Sequence, residues 1–131
     1  MAKHILCSTL IILCNLLSST VNANTSDYVK RAVVTSAIEN REPIDNLEQV
    51  SGLNKVFFFT EVTNSANSMV THRWFFNGKL EAEVVLKIGS NRWRTYSSKN
   101  LVYPNHIGNW QIEVVDDKNQ VIGSGFFTVS Q

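Results

Sequence analysis

The sequence predicts an all-β protein, an antiparallel β-sandwich of about seven strands, and three observations carry that expectation. Apolar residues recur at every second position in short runs. In Lys79 to Ile88, for example, Leu80, Ala82, Val84, Leu86 and Ile88 alternate with Glu81, Glu83 and Lys87. A period of two buries one face and wets the other. Turn chemistry punctuates the chain at intervals of about 8–12 residues, the spacing of a sandwich or barrel. Beyond the N-terminal stretch, no long run carries the 3.6-residue period of a helix.

At the N-terminus, Lys3 and His4 precede an apolar run from Ile5 to Leu17, and the segment closes on Val21-Asn22-Ala23. This is the form of a secretory signal peptide, with cleavage expected after Ala23. The apolar run falls short of the ~20 residues a spanning helix needs. Leu13 before Cys14 is the wrong neighbour for a lipoprotein anchor, while retention as an uncleaved anchor stands as an alternative. Residues 24–131 are then expected to form one domain, periplasmic or secreted, with no stable membrane insertion once the signal is cleaved. Both cysteines, Cys7 and Cys14, fall inside the signal, so the remainder has no disulfide and must rest on its core. An oxidising compartment without stapling cysteines favours a bacterial envelope over an animal extracellular space. Asn24-Thr25-Ser26 matches a glycosylation acceptor but sits at the expected new terminus.

Tyr28 to Ile38 reads as the first strand, rich in β-branched Val29, Val33, Val34 and Thr35. Glu39 to Asn54 reads as a loop pinned by Ile44, Leu47 and Val50, with a single helical turn as the alternative. Lys55 to Thr63 holds Phe57, Phe58 and Phe59 in succession, which suits a central strand meeting apolar partners on both faces. After a turn-forming stretch at Asn64 to Ser68, Val70 to Phe76 and Lys79 to Ile88 form a hairpin. Its connection, Asn77-Gly78, is a strong signal, because a type I′ turn needs φ > 0 at both central residues. Gly89-Ser90-Asn91 then leads to a third strand, Arg92 to Ser97, and Ser98 to Ile107 reads as a connection containing Pro104. Asn109 to Asp116 and Val121 to Val129 form a terminal hairpin around Asp117 to Gln120. Its Gly-x-Trp opening, acidic turn and closing Phe127-x-Val129 point to a sandwich of immunoglobulin type, with a closed barrel as runner-up. Gly123-Ser124-Gly125 reads as a bulge or a close backbone approach.

Six segments together resemble a known family. They are Asn40 to Pro43 (NREP), Phe57 to Val62 (FFFTEV), His72 to Trp74 (HRW), Asn77 to Lys79 (NGK), Arg92 to Arg94 followed by Ser97-Ser98-Lys99, and Gly108 to Asp116 (GNWQIEVVD). The combination resembles the bacterial domain-of-unknown-function family numbered 2914, across nearly the whole chain after the signal. The resemblance implies an extracytoplasmic bacterial β domain without an established activity, so it assigns no catalytic residue.

The chain carries twelve Lys plus Arg against eleven Asp plus Glu. With Lys3 in the signal, the remainder is neutral, which gives no general attraction to nucleic acid or an anionic membrane. Functional residue types concentrate in His72, Arg73, Trp74, Arg92, Trp93, Arg94, Tyr96 and Lys99. If Trp74 and Trp93 point inward, alternation projects Arg73, Arg92, Arg94 and Tyr96 outward as one patch. Such a patch would stack on sugar rings or capture carboxylate and phosphate in bidentate fashion. The candidate ligand-binding set is therefore Arg73, Arg92, Arg94, Tyr96, Lys99 and His72. Against it stands a structural reading, in which Trp74, Trp93 and Trp110 fill the core, arginine stems cover them and pair with Glu, and His72 is a half-buried hydrogen-bonded residue.

Catalytic and metal motifs are missing. No elbow motif positions Ser97 or Ser98 against His72 or His106 with Asp116, no HExxH or calcium loop occurs, and no cofactor is implied. The leading expectation is a non-catalytic envelope module binding a partner protein or a glycan. The alternatives are a small hydrolase using His72 with Ser97 or Ser98, provided imidazole and hydroxyl meet in an open pocket, and a structural module assembling through sheet edges.

Overall fold

The computed structural model describes residues 26–131. The expected signal peptide, its cleavage point and both cysteines lie outside the described residues. Ten strands follow one another: β1 (Val29–Thr35), β2 (Ile38–Glu39), β3 (Glu42–Pro43), β4 (Gln49–Ser51), β5 (Lys55–Thr63), β6 (Met69–Phe76), β7 (Lys79–Lys87), β8 (Arg92–Asn100), β9 (Gly108–Val115) and β10 (Val121–Ser130). They make an all-β sandwich, with no helix among the described residues. The smaller sheet has the order β1-β5-β8 and the larger β4-β10-β9-β6-β7, while β2 and β3 form a separate two-stranded flap. Among the described residues no ladder joins the two main sheets, so the closed barrel is not formed.

Between the sheets lies one core. Val29, Ala32 and Val34 of β1 and Val56, Phe58 and Val62 of β5 meet Val70 and Trp74 of β6, Trp110, Ile112 and Val114 of β9, and Phe127 and Val129 of β10. Each set follows the two-residue period of its strand, except that a shift of register between Val29 and Arg31 puts Val29 in phase with Ala32 on β1. An edge-to-face contact from Phe58 to Trp74 bridges the layers, and further ring pairs line the larger sheet. Trp74 stands 6.4 Å from Phe58 and 6.5 Å from Trp110, while Trp110 stacks on Phe127 at 5.7 Å. Such pairs add to the area they bury.

The hairpin and its turn form as expected, with Asn77 at φ 47° and Gly78 at φ 83°. Of the two readings of the Gly-Ser-Gly run, the bulge forms and the close approach between backbones does not. The ladder shifts register between Val121 and Gly123, and the close neighbour of Gly125 is the Phe58 ring rather than backbone; a Cβ at that glycine would lie 2.6 Å from the ring.

Several expectations are corrected. β8, which follows the hairpin directly in the chain, leaves its sheet and pairs antiparallel with β5. It also runs to Asn100, because Ser98, Lys99 and Asn100 find partners in Phe57, Val56 and Lys55. The stretch from Glu39 to Asn54 is not featureless. Together with Ile38, which lies beyond the end of β1 at Thr35 and not in the first strand as expected, it forms the flap, and it also holds β4, which pairs with β10 in parallel, so the larger sheet is not wholly antiparallel. The flap turn places Asn40 at φ 51° and Arg41 at φ 61°, both left-handed. Asp45 pins the segment after it to the end of β1, accepting from Thr35 Oγ1 at 2.6 Å, Ser36 N–H at 2.8 Å and Ser36 Oγ. Burial works to raise the Asp45 pKa, but the hydrogen bonds from Ser36 and Thr35 prevail and hold it below its ordinary value.

Of the three tryptophans, only Trp74 and Trp110 are buried, and Trp93 is 38% exposed. Its parity is inward, since it pairs with buried Val62, but β8 is an edge strand with no neighbour to cover the ring. For the same reason Ala82, Val84 and Leu86 on edge strand β7 are only half-buried. Leu80 is exposed beyond a bulge between Trp74 and Phe75.

Candidate functional site

Crossing of β8 into the smaller sheet divides the expected patch. Arg73 projects outward from β6 and Arg92, Arg94 and Tyr96 project outward from β8, but outward on opposite sheets means opposite sides of the sandwich. Arg73 lies 3.0 Å from the Glu83 carboxylate and donates from Nη2 to Asn119 Oδ1 at 2.6 Å. It acts as a cross-strand tie. Lys99 shares the inward parity of Ser97 and sits opposite Val56, near the far end of β8.

His72 lies in neither patch. It is fully buried, with Nδ1 at 2.7 Å from Ser97 Oγ and Nε2 at 3.2 Å from Thr60 Oγ1, while Trp74 Nε1–H donates to the same Ser97 Oγ at 3.0 Å. An indole can only donate, so Ser97 Oγ accepts from Trp74, and the Ser97 and Thr60 hydroxyls between them satisfy both ring nitrogens of a neutral imidazole, one as donor and one as acceptor. The imidazole is thereby neutral, and burial pushes its pKa down to about 3. This polar knot ties β5 and β8 to β6 across the sandwich. The hydrolase reading required such a contact in an open pocket. The distance is met, but both groups are buried, and exposed Ser98 has the opposite parity on β8.

What remains together is the outer face of the smaller sheet. Arg31 on β1, Glu61 on β5, Arg92 and Arg94 on β8, and Glu42 on the flap form one ion-pair network. Arg31 holds Glu42 in bidentate contact at 2.6 and 3.0 Å and reaches Glu61 at 2.9 Å. Arg94 reaches Glu42 at 2.6 Å, and Arg92 reaches Glu61 at only 3.4 Å. The Arg31 guanidinium also lies over the Phe59 ring, 4.9 Å from its centroid. Hydrogen bonds from Arg31, then Arg94, draw the Glu42 carboxyl down to about 2. At Glu61 burial pushes upward, but Arg31 and Arg92 outweigh it and keep the group ionised. Contact with Glu42 raises the Arg31 pKa against the lowering effect of burial.

Sequence reasoning missed Arg31, Arg41, Glu42 and Glu61 as parts of this site. One signal was available, because Arg41 and Glu42 lie in NREP and Glu61 in FFFTEV. An acidic residue in the most apolar strand requires a cation nearby.

Three guanidinium groups against two carboxylates leave the network one charge positive. Beside it, continuing between the edge strands β7 and β8, is a groove of about 890 Å³. Four lining side chains are cationic, Arg41, Lys87, Arg92 and Arg94, and none is a carboxylate. Among the described residues, Arg41 and Lys87 make no ion pair, and the Arg92 side chain is 70% exposed. Trp93 and Tyr96 add flat, accessible rings. The arrangement suits an anion with apolar or planar parts. Among the described residues no cluster of His, Cys, Asp and Glu forms a metal-binding group, and no helix is long and apolar enough to cross a membrane.

Residues 67–129 match the family model described as "Protein of unknown function (DUF2914)". The matched stretch is just under half of the chain. It contains the HRW, NGK, RWR with SSK, and GNWQIEVVD segments, whereas NREP and FFFTEV lie upstream of it, so the expected near-complete coverage is narrowed. No curated protein matches the chain in sequence. Among solved structures, a Pseudomonas fluorescens alkylpurine DNA glycosylase, AlkC, bound to DNA containing an abasic site analog, is similar at 12% identity and a TM-score of 0.51. That similarity covers 79% of this chain but 30% of the glycosylase, so the chain spans about a third of that protein's length and shares a fold with part of it. The CARDB domain of a Pyrococcus furiosus protein, in complex with di-metal ions, aligns at 18% identity and a TM-score of 0.44, over 82% of this chain and 93% of that domain.

Proposed function

With a family of unknown function matched over residues 67–129 as premise, we propose that the chain is a non-catalytic binding module of the bacterial envelope, an immunoglobulin-like sandwich that captures an anionic partner in the groove along β8. The observation that carries this reading is the groove's lining, with four cations, no carboxylate and two accessible aromatic rings. Because net charge is nearly zero, attraction comes from this local cluster rather than from a global field. Glu42 and Glu61 hold Arg31 and Arg94 in fixed positions, and Arg92 and Arg41 supply the charge left over. Envelope location rests on the N-terminal segment, from Lys3 to Ala23, and cell fractionation of the expressed chain tests it.

Binding is tested with two fluorescent anionic probes at low ionic strength, poly-L-glutamate as a polypeptide and heparin as a glycan. The purified protein retains at least one of them. Retention falls with added salt and in Arg92→Ser, but not in Arg73→Ser, whose side chain lies on the opposite face. Equal loss in both variants would remove the β8 groove from consideration.

A further inference from the structure

We infer that the groove takes an extended acidic–apolar segment of a partner protein, added as a strand along the free edge of β8; this rests on the binding reading above. The backbone supplies the argument. Asn64 N–H donates to the Asn91 carbonyl at 2.9 Å, and Leu101 N–H donates to the Asn54 carbonyl at 2.8 Å. These two pairs continue the β5–β8 register at its opposite ends. In an antiparallel ladder, hydrogen-bonded and non-bonded pairs alternate. Trp93, Thr95, Ser97 and Lys99 therefore turn their backbone groups to β5, and Arg92, Arg94, Tyr96 and Ser98 turn theirs outward to the edge. No strand among the described residues pairs with that edge. Neither bulge nor proline interrupts the edge, since the ladder runs nine pairs from Lys55–Asn100 to Thr63–Arg92 without a register shift, and the inward-parity charge Lys99 lies at its far end, away from Arg92, Arg94 and Tyr96.

The residues whose backbone groups turn to the edge, where among the described residues only the Arg92 carbonyl is engaged, by Ser90 Oγ at 2.7 Å, are the same ones whose side chains point to the outer face. An added strand running antiparallel to β8 and bonding to Arg92, Arg94 and Tyr96 sets its own bonded residues beside those side chains. Acidic residues belong at those positions. The alternate residues of the strand face inward, toward the mouth between the sheets where Trp93 and Leu86 lie, and apolar side chains belong there. The recognised sequence is thus an alternation of Glu or Asp with apolar residues. A second copy of this chain is the wrong occupant. Pairing β8 with β8 would gather four arginines, Arg92 and Arg94 of each copy, on one face of a two-stranded edge with no carboxylate lining it, where like charges repel. A glycan offers no repeating N–H and C=O to the edge.

Four peptides test the inference: acetyl-(Glu-Leu)4-amide, the same peptide N-methylated at every Glu, the same N-methylated at every Leu, and (Lys-Leu)4. Binding to the purified protein is read by fluorescence anisotropy at pH 7. The parent peptide binds, methylation at Glu weakens it by more than about tenfold, methylation at Leu changes it by less than about twofold, and the lysine peptide does not bind. On the protein side, Ser98→Pro removes one outward N–H and weakens the parent peptide by about tenfold, whereas Ser98→Ala does not. Circular dichroism confirms that both variants fold. Equal binding of the two methylated peptides would overturn strand addition and leave an anion-binding groove standing. Heparin binding more than about tenfold tighter than the parent peptide would overturn the peptide assignment in favour of a glycan. Failure of every anionic probe, poly-L-glutamate and heparin included, would remove the binding reading itself.

Discussion

Acid is expected to loosen this fold from about pH 6.5 downward, and His72 is the reason. The folded imidazole is fully buried, and its pKa lies near 3 against 6.5 for an ordinary histidine. The unfolded chain therefore takes up a proton as the pH falls through 6.5, and the folded chain does not until about 3. Stability from this site is complete above 6.5 and declines as the pH drops toward 3, at up to about 1.4 kcal/mol per pH unit. The full interval amounts to about 5 kcal/mol, a large fraction of what holds a domain of this size together. Between pH 6.5 and 5 the loss is about 1.6 kcal/mol. The groups with lowered pKa values, Glu42, Asp45 and Glu61, act in the same direction but later, since their contribution is present above their ordinary values near 4 and is lost below them. Urea unfolding at half-unit steps from pH 7 to 5 gives the curve, and subtracting that of His72→Gln isolates the one group. Parallel curves for wild type and variant across that window would refute the account of a neutral, sealed imidazole.

Three further outcomes are expected. Gly125→Ala drives a Cβ to 2.6 Å from the fully buried Phe58 ring, so urea unfolding shows a loss of about 1–3 kcal/mol. Trp74→Ala costs about 3–5 kcal/mol by the same assay, whereas Trp93→Ala, at an exposed edge, costs less than about 1 kcal/mol. Arg41→Gly relieves a left-handed residue at φ 61°, raising stability by about 1 kcal/mol while weakening retention of poly-L-glutamate.

Much of the fold was legible because alternation is a local signal. Lys79 to Ile88 and Asn109 to Asp116 announce strands, and Asn77-Gly78 announces its turn, without reference to the rest of the chain. Sheet membership is a different kind of property. Nothing within Arg92 to Ser97 states that its partner is β5, about 30–40 residues earlier, rather than the adjacent β7. From that one ambiguity followed the main error in the site, the fusion of Arg73 with Arg92, Arg94 and Tyr96. The flap escaped notice because two-residue strands are too short to show a period, and Asn40-Arg41 lacks the glycine that marks a type I′ turn. His72 shares its parity with Val70, Trp74 and Phe76, so its inward direction was readable. Its neighbour Thr60 was not, since it comes from the opposite sheet, and Ser97 entered only as one of two serines in the hydrolase reading, with nothing in the sequence to choose it over Ser98.

The outward-facing amides of β8 offer the most direct test. Residue-by-residue hydrogen exchange, followed by NMR with and without acetyl-(Glu-Leu)4-amide, should show Arg92, Arg94, Tyr96 and Ser98 exchanging freely in the protein alone and becoming protected on addition of the peptide, with Trp93, Thr95 and Ser97 protected throughout. Protection arising instead around Arg73, or no change along β8 under saturating peptide, would contradict the assignment of this edge as the place where the partner is held.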